Sequence, residues 1–163
     1  MSRSRLRFAT RGLVLGLLVA LPVAADQPPG APPGQYDTFD SQARRIRDKK
    51  TGLVWERSVS PAPVDFATAQ ATCTGGTRLP TLKELLTLVD EQPHLDYDLT
   101  LNANVKKYID PQAFGEETPI DAPYWTSSMN GASRVWTVDF GSGETHDEGT
   151  TFDAYVRCVR FQP

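Results

Sequence analysis

Apolar and small residues recur with a helical period in residues 64–73. Phe66, Ala69 and Cys73 fall at positions i, i+3 and i+7, so they share one helical face. Because these side chains are mostly small and apolar, we expect the helix to pack closely against the rest of the protein. The pattern therefore predicts a first helix whose Cys73 points inward.

A second helix follows and has a stronger signal. Thr81 and Glu84 have the spacing of a capping box, in which each side chain bonds the backbone amide of the other residue. Pro93 is expected to end the helix, since proline cannot continue it. The apolar face between the cap and the proline has helical spacing and consists of Leu82, Leu85, Leu86 and Val89.

Short strand patterns lie on either side of these helices. Residues 45–48 and 53–57 surround a turn that ends at Gly52, which predicts a β-hairpin. Three more β-prone runs come after the helices, at residues 124–128, 134–140 and 154–161. Strands that flank two consecutive helices, without a repeating βαβ order, predict an α+β fold with two helices packed on short antiparallel sheets.

Residues 94–122 have no clear period. They are rich in Asp and Asn and contain only short apolar islands. We expect a long, mostly irregular loop region with one short helix near residues 104–108. Loops of this length in compact domains are usually functional or mobile, so this region is a candidate ligand surface.

The amino terminus has the pattern of a secretory signal peptide. It begins with basic residues, continues with an apolar run at residues 12–21, and ends with small residues before a predicted cleavage after Ala25. The run is shorter than the about 20 residues that span a membrane. We therefore predict a signal peptide at residues 1–25, a Pro/Gly-rich leader at 26–40 and one folded domain at 41–163, in a periplasmic or secreted protein.

Signal cleavage changes the charge of the chain. The whole sequence has 17 basic and 20 acidic residues, and residues 1–25 hold four arginines and no acidic residue, so the predicted mature chain carries a net charge of −7. Phosphate recognition needs clustered Lys and Arg, and this balance argues against nucleic acid as a partner. No membrane span is expected after cleavage.

The two cysteines are expected to form a disulfide. An exported protein meets an oxidising compartment, where Cys73 and Cys158 would be paired by default. Cys158 shares one face of the last predicted strand with Ala154 and Val156, so both cysteines lie on predicted core faces. Redox chemistry usually needs closely spaced, exposed thiols, which makes a structural bridge the favoured interpretation.

No catalytic constellation is evident. The chain has two histidines, His94 and His146, and no Gly-x-Ser-x-Gly sequence, so a hydrolase triad has little support. We predict no catalytic residues, no cofactor and no metal site. Residues 144–149 are acidic and could supply oxygen ligands for calcium, but a solvated acidic loop is favoured.

Taken in order, several segments resemble one family. These are residues 48–56, a helix that ends in Cys73, residues 78–85, 124–128 and 155–160. The set resembles the Lcl C-terminal domain family, named for the tail of a bacterial collagen-like adhesin. That family resembles the C-type-lectin fold and, more distantly, formylglycine-generating enzymes. The residues that carry the motif are Arg78, Leu79, Pro80, Thr81, Glu84, Trp125, Arg157 and Arg160.

The resemblance implies an exported binding module for extracellular or cell-surface polysaccharide. The calcium-ligating triplets of true C-type lectins and the collagen-like stalk of the adhesin are both absent from this sequence. By the same resemblance, Cys73 and Cys158 occupy the long-range bridge of a C-type-lectin domain. Four connection residues are the candidate ligand contacts: Asn130, Arg134, Asp147 and Glu148.

Two other functions stay open. One is a structural or protein-interaction module of a cell-envelope assembly, which an exposed apolar patch would favour. The other is an enzyme related to the formylglycine-generating fold, which free thiols would favour. Tryptophans could serve as sugar platforms, although we expect at least two of the three to be buried: Trp55, Trp125 and Trp136.

Overall fold

A computed structural model describes residues 31–40, 42, 44–98, 102–115 and 118–161. The predicted signal peptide lies outside the described residues. The described part combines short helices and strands, as the α+β prediction requires. The strands are β1 (Tyr36–Thr38), β2 (Arg45–Asp48), β3 (Leu53–Glu56), β4 (His94–Asp98), β5 (Ala103–Lys107), β6 (Tyr124–Met129), β7 (Arg134–Val138), β8 (Thr145–Gly149) and β9 (Val159–Phe161). The helices are α1 (Phe66–Thr72), α2 (Leu82–Leu86) and α3 (Pro111–Phe114).

The first antiparallel sheet has the strand order β1-β2-β3-β9. The predicted hairpin is confirmed as β2 and β3, and its turn ends at Gly52, whose φ is +74°. Asp48 is fully buried and shapes that turn by accepting bonds from the Lys50 amide and the Thr51 hydroxyl, both at 2.8 Å. β1 lies within the segment predicted as a leader; it pairs with β2, and Tyr36 packs on Phe114 with ring centroids 5.2 Å apart.

The capping box of α2 is confirmed, but the predicted end of the helix is wrong. Thr81 accepts from the Glu84 amide and Glu84 accepts from the Thr81 amide. After Leu86, the backbone tightens to i→i−3 bonds, of which Leu88 to Leu85 at 3.1 Å is one. This tightening turns Leu88 into the core, and Leu86, predicted on the buried face, is 37% exposed.

The prediction of a mostly irregular region at residues 94–122 is also wrong. β4 and β5 form a two-stranded antiparallel sheet within it, with Asp96 opposite Val105. The helix predicted near residues 104–108 is part of β5, and α3 begins later, where Asp110 caps Pro111–Phe114. The strands were missed because the alternation in β4 places Leu95 and Tyr97 in solvent rather than in the core.

The third sheet has the order β6-β7-β8. The strands predicted at 124–128 and 134–140 are confirmed in β6 and β7. The acidic segment 144–149, predicted as a loop, is mostly strand β8, which pairs with β7 along five residues. Ladder bonds to β7 outweigh the polar composition of β8, since backbone pairing needs no apolar side chain.

Two hydrophobic clusters form the core. One lies around α2, α3 and the first sheet, and the other joins α1 to Trp125 and Val135 of the third sheet. Residues 154–159 alternate between them: Ala154, Val156 and Cys158 belong to the second cluster, while Tyr155 and Val159 belong to the first. The prediction that Ala154, Val156 and Cys158 point together is thereby confirmed, but the strand predicted at 154–161 is wrong in length, since the regular strand β9 spans only Val159–Phe161.

The predicted Cys73–Cys158 disulfide is present. It links the residue that caps the end of α1 to the segment just before β9, across 85 positions of sequence. Cys158 is buried and Cys73 is partly buried beside the second cluster. The bridge therefore fastens α1 to the final segment that runs between the two clusters.

Replacing Glu84 with Gln is expected to remove part of the acid sensitivity of the fold. Arg78 binds both carboxylate oxygens of Glu84, at 2.7 and 2.8 Å, and this lowers the pKa of Glu84 from 4.5 to about 2. The carboxylate is therefore favoured in the folded state, so its stabilisation is complete above pH 4.5 and is lost as the pH falls towards 2.

Urea unfolding of the wild type and E84Q from pH 7 to 2 tests this. At pH 7 the variant should be less stable by about 1–2 kcal/mol. This difference should shrink between pH 4.5 and 2. A difference that stays constant over that interval would contradict the role assigned to the carboxylate.

Candidate functional site

Three of the four predicted ligand residues meet on the outer part of the third sheet. Asp147 on β8 accepts a bond from the Asn130 amide nitrogen at 3.0 Å and from the Arg134 Nε at 2.6 Å. A guanidinium nitrogen of Arg134 also donates to the Asp147 carbonyl oxygen. The Arg134 guanidinium lowers the pKa of Asp147. The three residues form one fixed, solvent-accessible polar network.

Trp136 lies on the same face as this network. It is the cross-strand partner of Asp147, and directly paired residues of an antiparallel sheet project to the same side. Trp136 is only partly buried. Glu148 pairs with Val135, so it projects from the opposite face and makes no hydrogen bond to the network, although its charge is a minor contributor to the raised pKa of Arg134. The structure thus brings together Asn130, Arg134, Trp136 and Asp147, and we call this set the outer-sheet surface.

The other two tryptophans are core residues. Trp55 and Trp125 are fully buried, as expected for at least two of the three. The Trp125 indole donates to the Val64 carbonyl at 2.7 Å and stacks at an angle on Phe66. Neither indole is available to a ligand, which leaves Trp136 as the tryptophan with exposed surface.

The three arginines of the family motif make contacts between segments that are distant in the sequence. Arg78 pairs its backbone with Val159 through two bonds of 2.9 Å, which join the start of α2 to β9. Arg157 is fully buried and donates to two carbonyls, of Glu56 and Arg57. The Arg160 guanidinium lies 5.1 Å from the centre of the Phe39 ring.

The apolar residues of the motif are buried. Leu79 and Pro80 precede the capping box, and the Pro80 carbonyl accepts a hydrogen bond from the Ser127 amide at 2.7 Å.

A cleft of about 510 Å³ opens between β1 and α3. Its walls come from residues 31–38 and 110–113, and Ile46, Arg57 and His94 complete the lining. Asp90 is buried beside it and bonds the His94 Nε2 at 2.9 Å. The sequence did not point to this cleft, whose lining includes the polar residues Gln35, Arg57, His94 and Gln112.

Burial and carboxylates set the protonation of the groups around the cleft. Burial raises the pKa of Tyr36, and the nearby Asp48, Asp90 and Asp110 raise it further, so the phenol stays neutral. Burial also raises the pKa of Asp90, against the opposing effect of His94. The carboxyl group of Asp90 is therefore easier to protonate than an exposed aspartate.

Within the described ranges, no three His, Cys, Asp or Glu side chains converge into a group that could hold a metal ion. In β8, successive side chains point to opposite faces of the sheet, which separates the acidic residues of segment 144–149. No helix in the described part of the chain is long and apolar enough to cross a membrane.

The sequence matches the family described as the Lcl C-terminal domain over residues 44–160. The chain belongs to this family. The match begins just before β2 and ends within β9, so it covers the helices, all three sheets except β1, and the disulfide. No curated protein matches the sequence.

Two features of this Lcl C-terminal domain could not be read from its sequence. The cleft depends on β1 folding back onto β2, and β1 lies in a segment whose proline content predicts an extended leader. The pairing of Trp136 with Asp147 depends on the register between β7 and β8. The Gly-Ser-Gly turn at 141–143 is a signal for that hairpin, but it does not determine which residue of the acidic segment lies opposite Trp136.

Proposed function

We propose that this Lcl C-terminal domain is an exported, non-catalytic module that binds extracellular or cell-surface polysaccharide through the outer-sheet surface. The observation that carries the proposal is the network around Asp147 on the same face as the partly exposed Trp136. The family description names a domain of a larger protein and no catalytic role. Membership therefore supports a module of a surface protein.

The chemistry of the outer-sheet surface suits a sugar. An indole face offers apolar area for the C–H face of a pyranose, and aromatic side chains carry much of the energy of such contacts. Asn130, Arg134 and Asp147 offer both donors and acceptors for hydroxyl groups. Because they already bond one another, little side-chain entropy is lost when a ligand binds. Neutral hydroxyls also suit a protein whose predicted mature charge is negative.

Several features support a binding role over catalysis. Both cysteines of the sequence are joined in the disulfide, which leaves neither thiol for formylglycine-type chemistry. The side-chain partners of His94 and His146 among the described residues are carboxylates, Asp90 and Glu144. A triad would need a hydroxyl or thiol nucleophile beside the histidine.

The proposed architecture is C-type-lectin-like, and the proposed location is the periplasm or the exterior of the cell. Two helices that pack on short antiparallel sheets and a long-range disulfide support the first part. The disulfide and the sequence pattern of residues 1–25 support the second part, since such bridges persist in oxidising compartments.

A protein-interaction module is the second candidate, and one observation favours it. Leu95 and Tyr97 project from the same face of β4 and are 75% and 50% exposed. Two large apolar side chains held in solvent on a two-stranded sheet could contact a protein of a cell-envelope assembly. The Tyr97 hydroxyl donates to the Asn102 side chain at 2.5 Å, which fixes its ring on that face.

Replacing Trp136 with Ala, or Asp147 with Asn, is expected to weaken polysaccharide binding at least tenfold, which corresponds to about 1.4 kcal/mol. The purified oxidised protein is screened against a glycan panel with and without calcium, and the variants are then titrated with the best ligand. Glu148→Gln is the matched control, because it changes the neighbouring residue on the opposite face and should leave the affinity unchanged.

The outcomes separate the two candidates. Equal loss in E148Q and D147N would contradict the outer-sheet surface as the site. Absence of glycan binding by folded protein, together with capture of an envelope protein that Leu95→Ser abolishes, would favour the protein-interaction module. Loss of binding on chelation would show a calcium requirement.

A further inference from the structure

We propose that the cleft between β1 and α3 is a second binding site, and that it takes a monosaccharide-sized ligand with a single carboxylate, namely a uronic acid residue. The cleft is separate from the outer-sheet surface, since they share no lining residue. Its volume of about 510 Å³ falls in the range of about 300–1,000 Å³ typical of small-molecule sites.

The charged groups of the cleft differ in their partners. Asp37 is held by the Lys49 ammonium at 3.2 Å, and Asp110 accepts from the Gln112 and Ala113 amides at 2.8 and 3.1 Å. His94 is bonded to Asp90. Each of these side chains already has a hydrogen-bond or ion-pair partner within the protein, so none of them suggests a bound ligand.

Arg57 is the exception among the charged residues that line the cleft in the described part of the chain. Its Nε is buried and has no hydrogen-bond partner, and its guanidinium forms no ion pair within the described ranges. The buried Nε of Arg57 is costly, because it has lost hydration without a compensating bond, while the rest of the guanidinium is only partly buried. A carboxylate is the natural complement, since its two oxygens match the planar donor fork of arginine.

The rest of the lining restricts the ligand further. The carboxylates of Asp37 and Asp110 repel additional negative charge, so a monoanion is favoured over phosphate, sulfate or a polyanion. Gln35 and Gln112 offer amide donors and acceptors for hydroxyl groups. The Tyr36 ring and the prolines at 32 and 33 supply apolar walls for a sugar ring.

Titration of the oxidised protein with D-glucuronate, observed by NMR at the arginine Nε–H signals, tests the proposal. Saturable binding should shift the Arg57 signal, and D-glucose and glucuronamide should bind at least tenfold more weakly. Lactate separates a sugar acid from a simple carboxylic acid: lactate binding as tightly as glucuronate would overturn the assignment to a sugar, as would equal binding of glucose.

Arg57→Gln is expected to reduce glucuronate affinity at least tenfold, and Arg44→Gln is its matched control. Arg44 is exposed and does not line the cleft. Equal affinity of the two variants would overturn the site. If R57Q does not fold, Gln112→Glu places a repelling charge at an exposed position of the cleft and should weaken binding of glucuronate.

The variant D147N separates this site from the outer-sheet surface. It should leave glucuronate binding intact while polysaccharide binding falls. Loss of glucuronate binding in D147N would place the ligand on the outer-sheet surface instead and overturn the proposal for the cleft.

Discussion

Reducing the Cys73–Cys158 bridge is expected to lower the free energy of unfolding by about 3–5 kcal/mol. The bridge closes a loop of 85 positions, and the restriction of the unfolded chain grows with loop length. It also joins two segments of the second cluster, so its loss frees the end of α1. Urea unfolding with and without reductant measures the difference.

The double variant C73A/C158A is the control for this measurement. It should unfold at the same low urea concentration with or without reductant, because it has no bridge to break. A wild-type midpoint that reductant leaves unchanged would show that the bridge contributes nothing measurable. Loss of polysaccharide binding by C73A/C158A, measured without urea and at low temperature, would instead show that the bridge has a role besides stability.

Replacing Arg157 with Met is expected to lower the free energy of unfolding by about 2–6 kcal/mol, at about 1–3 kcal/mol for each of two buried carbonyls that lose their donor. The guanidinium is fully buried, donates to the Glu56 carbonyl at 3.0 Å and to the Arg57 carbonyl at 2.6 Å, and lies over the Phe114 ring at 4.9 Å. Methionine fills similar volume but leaves those acceptors without donors in the core.

Arg157→Lys tests whether charge alone explains the effect. A lysine cannot reproduce the planar fork, so it should recover only a small part of the stability. Arg44→Gln, at an exposed position, should change stability by less than about 0.5 kcal/mol. Thermal unfolding of the three variants at pH 7 distinguishes these cases; equal stability of R157M and wild type would contradict the assigned role.

The fold was predictable where side-chain pattern and burial agree. The α2 capping box is encoded by two residues three positions apart, and the β2–β3 hairpin by a glycine-ended turn between β-prone runs. In both cases local contacts determine the structure. The disulfide followed from a cysteine count in a chain with an export pattern.

The remaining structure depends on contacts that are distant in sequence. β8 is a strand because β7 lies beside it, although its side chains are polar, and β4 exposes the apolar residues that would normally mark a core face. Asp147 was singled out as a ligand contact, but its alignment with Trp136 needs the strand register. Arg57 was not singled out, because its buried, unpartnered Nε and its place in the cleft lined by β1 and α3 are visible only in the folded chain.

The position of β1 has a mechanical consequence. β1 and β9 lie at opposite edges of one four-stranded sheet. A force that pulls the two ends of the domain apart therefore acts on these edges. β1 and β9 each pair with their neighbour through three residue pairs, but the β9 side is also reinforced by the covalent link at Cys158, whereas β1 has no such link. Under tension β1 would separate from β2 first, and the cleft would lose one of its walls.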